Sequence, residues 1–196
     1  MSLAAATDRF CRVCGTLFHP SNSMHTVCSP PCGIKLGKSF SLQRRQSKLT
    51  EAKQVRQRRE ALQTIPDLIK IAQRDFNAYI RERDRNQPCI CCARHLPAEG
   101  LGGGFDCGHY RSVGSASHLR FDERNAHGQT KYCNRHGAGR AVDYRIGLID
   151  RIGLPAVEAL EADNRVHKWT RDELKAIAAT YRARLKELKA KREETA

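Results

Sequence analysis

The sequence predicts an α+β chain assembled from small, metal-stapled units rather than one large core. Three observations carry this. Mean hydropathy is −0.61 and only 40% of the 196 residues are hydrophobic, too few for a single extensive core. Nine cysteines stand at 11, 14, 28, 32, 89, 91, 92, 107 and 133. Between the cysteine groups runs a long basic stretch with nothing to break a helix before Pro66.

Residues 1–10 read as an untethered tail, and the first unit is assigned to 1–37. Cys11 and Cys14 are two residues apart, thirteen residues intervene, and Cys28 and Cys32 follow with a gap of three. Each pair closes a short loop on one tetrahedral ion, so the four thiolates predict a zinc ribbon-like unit. A closed four-sulfur shell has no open position, so this Zn²⁺ is structural. An odd number of cysteines without a secretory segment argues against a disulfide framework and for a reducing, cytoplasmic setting.

Residues 38–65 are assigned to a basic helical linker. Lys35 to Glu60 contains nine Lys or Arg against Glu51 and Glu60, a net of +7, half of the whole chain's +14. Arg44, Arg45, Lys48, Lys53, Arg56, Arg58 and Arg59 suit a phosphate backbone; the plainer reading is a solvated charged spacer. An anionic membrane is the rival partner for a basic chain, but no apolar run of 18 residues, secretory segment or lipidation motif is present.

The third unit, 66–140, opens with an amphipathic helix expected from Asp67 to about Asn86, with Leu68, Ile71, Ala72, Phe76, Tyr79 and Ile80 on one face. Pro88 separates it from the remaining cysteines, and glycines at 100, 102, 103 and 104 mark a turn. That density of turns and ligands predicts a β-hairpin feeding a short helix. Residues 141–196 form a helical C-terminal region. It has an Ile146/Leu148/Ile149/Ile152 segment, a short helix opened by Pro155, and a last helix from about Arg171, capped by Thr170 and Glu173, with a fraying charged tail.

The hairpin unit carries the chemistry. Asp106-Cys107-Gly108-His109 precedes Asn125 by sixteen residues counted from His109, and Cys133-Asn134 follows. This is the order of an HNH-type ββα-metal nuclease core: a histidine on a hairpin strand, an asparagine after the loop, a metal ligand on the next helix. His109 is assigned as general base toward a water attacking phosphorus, and Asn125 as the tie between the loop and the strand that carries His109. Asn134 and Asp106 are the candidate oxygen ligands of a catalytic Mg²⁺ or Mn²⁺. Asp106 is chosen because position 108, where such sites place a ligand, is glycine, and a residue two back shares its strand face. Arg111 and His127 are assigned to DNA; for His127, aiding the site and simple packing stay open. The competing class is a zinc-containing DNA-binding recombination mediator without catalysis. An RNA-directed nuclease is disfavoured by six Phe, five Tyr and one Trp, few for a stacking platform.

Asp106-Cys107-Gly108-His109-Tyr110-Arg111-Ser112, Leu119-Arg120-Phe121 and Glu123-Arg124-Asn125 are similar to the NinG / Rap recombination endonuclease family of lambdoid phages. So are Cys28-Ser29-Pro30, Ile80-Arg81-Glu82-Arg83-Asp84-Arg85 and Trp169-Thr170, so the resemblance runs nearly end to end. It implies a phage-encoded, structure-selective endonuclease acting on branched intermediates such as D-loops and Holliday junctions, beside recombination proteins. It also implies a second zinc knuckle, in which Cys89 and Cys92 meet a second cysteine pair. This chain has Thr130 where the first cysteine of that pair belongs, leaving Cys133; Cys107, Cys91 and His136 are candidates for the missing ligand. A homodimer would suit cutting both strands of a junction, although no heptad seam supports one.

Overall fold

The computed structural model describes residues 7–97, 103–137 and 139–194, and divides into two compact units, 1–62 and 63–196. Both contain helix and small sheets, an α+β chain.

In the first unit, β1 (Arg9–Phe10) pairs antiparallel with β2 (Leu17–Phe18). Arg9 and Phe10 are therefore tethered, where a free tail was expected through residue 10; the Arg9 guanidinium also donates to the Ser23 carbonyl at 3.0 Å. The turn between the strands is closed by Cys11 N–H to Thr16 O and Gly15 N–H to Cys11 O, both 2.9 Å. Gly15 takes φ +72° there, a conformation open to glycine. Helix α1 runs unbroken from Pro30 to Leu62. It begins eleven residues before Ser41, where the composition shift placed it, because paired prolines suit a first helical turn and Cys32 needs that turn to reach the other thiols. Among the described residues of this unit, apart from Pro20, only Cys11 and Cys32 are buried, so sulfur chemistry stands where a core would.

The second unit begins with α2 (Ile65–Arg83). Thr64 caps it: its hydroxyl accepts from Asp67 N–H while the Asp67 carboxylate accepts from Thr64 N–H at 3.0 Å. Such a reciprocal cap contributes about 1 kcal/mol. Leu68, Ala72, Phe76, Tyr79 and Ile80 bury one face against Leu174, Ala178 and Tyr181 of α5 (Arg171–Glu194). Thr170 and Glu173 cap α5 as expected, and the charged end stays helical to Glu194. Arg192 pairs with Glu82 of α2, one reason the end does not fray.

Strands β3 (Asp106–His109) and β4 (Ala126–Gln129) form the expected hairpin, antiparallel, with Asp106 opposite Gln129 and His109 opposite Ala126. The loop between them contains a 3-10 turn, Ser117–Leu119, and a single π-helical turn follows at Tyr132–His136. Cys107 and Ala126 share the core of α2 and α5. The other face of β3 meets α3 (Ala141–Ile152), whose buried Tyr144 hydroxyl donates to the Gly108 carbonyl at 3.0 Å. Helix α4 (Leu154–Ala162), opened by Pro155, closes a second cluster of Ile90, Ala116, Leu119, Tyr144, Leu148, Val157 and Leu160. The hairpin is anchored to α2 by Asp84, whose carboxylate accepts from Gly128 N–H at 2.7 Å and pairs with Arg83. Burial alone would raise the Asp84 pKa; the His127 ring beside it, the hydrogen-bonded Arg83 and the Gly128 N–H outweigh it and hold the carboxyl below its usual range. Gly100 and Gly102 of the predicted turn lie outside the described residues. Among the described residues no helix is long and apolar enough to cross a membrane.

Candidate metal centres and nuclease-like site

The first cysteine group is assembled as its spacing requires. The Sγ atoms of Cys11, Cys14, Cys28 and Cys32 all lie within 4.8 Å of one another, with Cys14 to Cys28 at 3.4 Å and Cys28 to Cys32 at 3.8 Å. Zn–S bonds of about 2.3 Å at tetrahedral angles place sulfurs about 3.8 Å apart, so the four thiols fit one zinc ion. Cys11 Sγ accepts from Cys28 N–H at 3.4 Å. Hydrogen bonds from the Cys14 and Val13 backbone bring its pKa down to about 6 against the opposing effect of burial, which favours a thiolate ligand.

The second group holds three thiols. Cys89, Cys92 and Cys133 lie within 4.8 Å of one another. Thr130 occupies the fourth corner: its N–H donates to Cys89 Sγ at 3.3 Å and its Oγ1 lies 3.8 Å from the same sulfur. None of the three candidates for a replacement ligand joins this group of mutually close thiols, although Cys91 adjoins it at Cys89. Cys107 faces the α2–α5 core, where burial pushes its thiol up to about 12, a state unsuited to metal binding. His136 is exposed, its ring centroid 6.1 Å from that of Tyr132. Cys91 bonds to Gln129 Nε2 at 2.8 Å and to the Gly139 carbonyl. Cys107 and His136 are thus corrected from ligands to a core thiol and an exposed ring. Cys89, hydrogen-bonded first of all to Cys91, is lowered to about 3, which favours a thiolate ligand.

Beside this knuckle stands the hairpin. His109 ends β3, half-buried, with its ring centroid 6.1 Å from that of Phe76. Its Nε2 lies 3.0 Å from the Arg120 carbonyl. A carbonyl only accepts, so Nε2 carries the hydrogen and Nδ1 is left with its lone pair. Burial lowers the His109 pKa below the ordinary 6.5. Asn125 is fully buried. Its Nδ2 donates to the Arg111 and Leu119 carbonyls at 3.0 and 3.2 Å, and its Oδ1 accepts from Arg111 N–H at 2.8 Å. It therefore ties both ends of the loop to β3.

Asp106 and Asn134 meet across the π-helical turn, Nδ2 donating to Oδ2 at 3.0 Å, while Arg135 grips the same carboxylate at 2.8 and 3.0 Å. Asp106 and Gly108 share a strand face; His109, an odd step away, leaves the other. His109 and the carboxylate–amide pair are therefore not on one face of β3. Position 108 is glycine for a structural reason: a Cβ there would collide with the buried Gln129 side chain.

Two assigned DNA contacts move inside. Arg111 donates from Nη1 to the Leu160 carbonyl at 2.9 Å and to Asp163 O, and from Nη2 to Asn164 Oδ1 at 2.8 Å, closing the end of α4. His127 is 5% exposed. Its Nε2 donates to Arg124 O at 3.2 Å, and its Nδ1 faces Arg83 and Arg151. It packs, the plainest of its three readings. Arg44, Arg45, Lys48, Lys53, Arg56, Arg58 and Arg59 are all exposed on α1. Sequence reasoning missed Gln129, which fills the space beside Gly108, and Arg120, whose carbonyl holds the His109 ring. Arg120 gave one signal, its place in the loop between His109 and Asn125.

The chain matches the model of the family described as Bacteriophage Lambda NinG protein over residues 3–193. It is 39% identical over 212 residues to Protein ninG of Salmonella phage P22, covering 99% of this chain and 100% of the relative. Against Protein ninG of Escherichia phage lambda the identity is 40% over 199 residues, 93% of each chain, and against that of Escherichia phage 933W it is 38%, covering 99% and 100%. No solved structure matches. With the match spanning both cysteine groups, the hairpin and the terminal helix, this chain belongs to the NinG family.

Proposed function

We propose that the chain is a metal-dependent endonuclease that cuts branched recombination intermediates such as D-loops and Holliday junctions, with His109 as general base. The observation that carries this reading is the His109 Nε2–H bond to the Arg120 carbonyl at 3.0 Å, which fixes the tautomer and presents Nδ1 as the proton acceptor. Asn125 supports it by locking the intervening loop. In the reaction, water oxygen bonds to phosphorus, its proton passes to His109 Nδ1, and the bond from phosphorus to the leaving sugar oxygen breaks, that oxygen taking a proton from solvent. Asp106 and Asn134 are adjacent hard donors, a set that fits an ion keeping most of its waters and taking its other ligands from phosphate. When bound, Mg²⁺ or Mn²⁺ supplies charge neutralisation at the phosphate and the leaving oxygen. The first zinc unit and α1 would grip the phosphate backbone.

A second reading, a zinc-containing DNA-binding mediator without catalysis, draws on one observation: Asp106 is already engaged by Arg135 and lies on the strand face opposite His109. Incubation with labelled linear, forked and four-way DNA, with and without Mg²⁺ or Mn²⁺, decides between them. Binding without metal-dependent nicks supports the mediator.

A further inference from the structure

A half-buried guanidinium without an anionic partner stands next to the proposed base. Arg120 Nη1 donates to Gln73 Oε1 at 3.0 Å and Nη2 to the Val113 carbonyl at 3.4 Å, both neutral acceptors. Its Nε is buried and has no hydrogen-bond partner. Among the described residues no carboxylate pairs with it. The neighbouring arginines show the contrast: Arg83, Arg124, Arg135 and Arg145 each hold an Asp or Glu within 2.8 Å.

Burying a cation beside neutral groups alone costs stability. Arg120 feels that cost, since burial lowers its pKa. Its two hydrogen bonds to neutral acceptors offset only part of it. The backbone of the same residue accepts the His109 Nε2–H bond, and the Arg120 charge is close enough to depress the proton affinity of His109. Its position is thus tied to the base twice, through the carbonyl and through the field of the guanidinium.

We infer that Arg120 is the binding site for the scissile phosphodiester, its free N–H donors taking a non-bridging phosphate oxygen while its carbonyl orients His109. This rests on the nuclease reading above and deepens it. Arginine suits the role because its planar fork offers five donors, of which two are bonded here. The bonds to Gln73 and Val113 go to neutral acceptors, and a phosphate, being an anion, offers the guanidinium a stronger partner than either. In the reaction the group then faces charge that grows on the phosphate oxygens.

The test compares wild type, Arg120→Gln, Arg120→Lys and Gln73→Leu on four-way DNA in Mg²⁺, at saturating DNA. Arg120→Gln should lower the cleavage rate about 100-fold, the usual loss on removing one transition-state donor, with DNA binding in Ca²⁺ changed less than about threefold. Arg120→Lys should recover part of the rate. Gln73→Leu, which removes the only side-chain acceptor of Arg120 among the described residues, should cut at nearly wild-type rate. Cleavage by Arg120→Gln within threefold of wild type overturns the inference, as does an equal loss in Gln73→Leu, which would make the arginine a structural strut. Titration with inorganic phosphate, followed at the His109 ring by NMR, is independent of cutting. Phosphate should shift that resonance in wild type and not in Arg120→Gln; no shift in wild type, or the same shift in both, overturns the inference. Absence of nicking by wild type itself would sink the nuclease reading instead.

Discussion

In the proposed reaction His109 takes the proton, and its surroundings set a pH dependence. Burial lowers its folded pKa below 6.5, and a general base acts when neutral. The rate of cleavage should therefore rise with pH through a midpoint below 6.5 and be flat above it; a midpoint above 7 would contradict the assigned environment. The linked stability term has a definite sign. The unfolded chain binds the proton more tightly, so this histidine's contribution is fully present above 6.5 and is lost as pH falls through the lower folded value. Asn125 acts through geometry alone. Asn125→Ala would leave the Arg111 N–H and carbonyl without the partners Asn125 supplies, and the Leu119 carbonyl with only the Asp122 N–H, a loss of about 2–4 kcal/mol, read as a lower midpoint in urea. An unchanged midpoint would mean the loop is held by other contacts. His109 and Asn125 were legible because order and spacing carry over from sequence to a hairpin. Gln129 and Arg120 were not, because nothing in a linear string says which side chain fills the space above Gly108 or which carbonyl meets an imidazole.

The two cysteine elements differ by one ligand, and the difference has measurable consequences. The first group offers four thiols within 4.8 Å; the second offers three, with Thr130 at the remaining corner. Purified protein should bind one zinc tightly and a second weakly, and Thr130→Cys should bring zinc content to two per chain and raise the melting temperature. Zinc content unchanged in that variant would mean the knuckle is closed by other means. In the first unit so little is buried that Cys11→Ser should unfold residues 7–29 while leaving the second unit intact. Chymotryptic or tryptic cleavage confined to that segment is the expected outcome. Its cysteine spacing was readable in advance. The fourth ligand of the second group was not: three residues were plausible by position, and only packing shows Cys107 turned into the core and His136 out to solvent. Helix α1 was half legible, since composition marks its basic middle but not its start at Pro30, which the need to seat Cys32 decides.

For the molecule as a whole, the +14 charge and the exposed cations of α1 make phosphate the natural partner. Replacing Arg56, Arg58 and Arg59 with Gln should weaken binding of branched DNA and reduce the slope of log K against log salt by about 2 to 3. An unchanged slope would return α1 to the role of a spacer. Arg111 is not part of that surface; its Gln variant should lower stability rather than affinity, because its guanidinium closes the end of α4. The α+β class was legible from cysteine spacing, the hydrophobic period of α2 and the glycine and proline punctuation. The inward turn of Arg111 and His127 was not, since an arginine on a carbonyl cluster and one on a phosphate are written alike. The most direct measurement is nicking of four-way DNA in Mg²⁺ by wild type and by His109→Ala. The nuclease account expects metal-dependent cuts by wild type and none by the variant, with both binding the junction alike. Equal cutting by the two, or binding with no cuts by either, would contradict it.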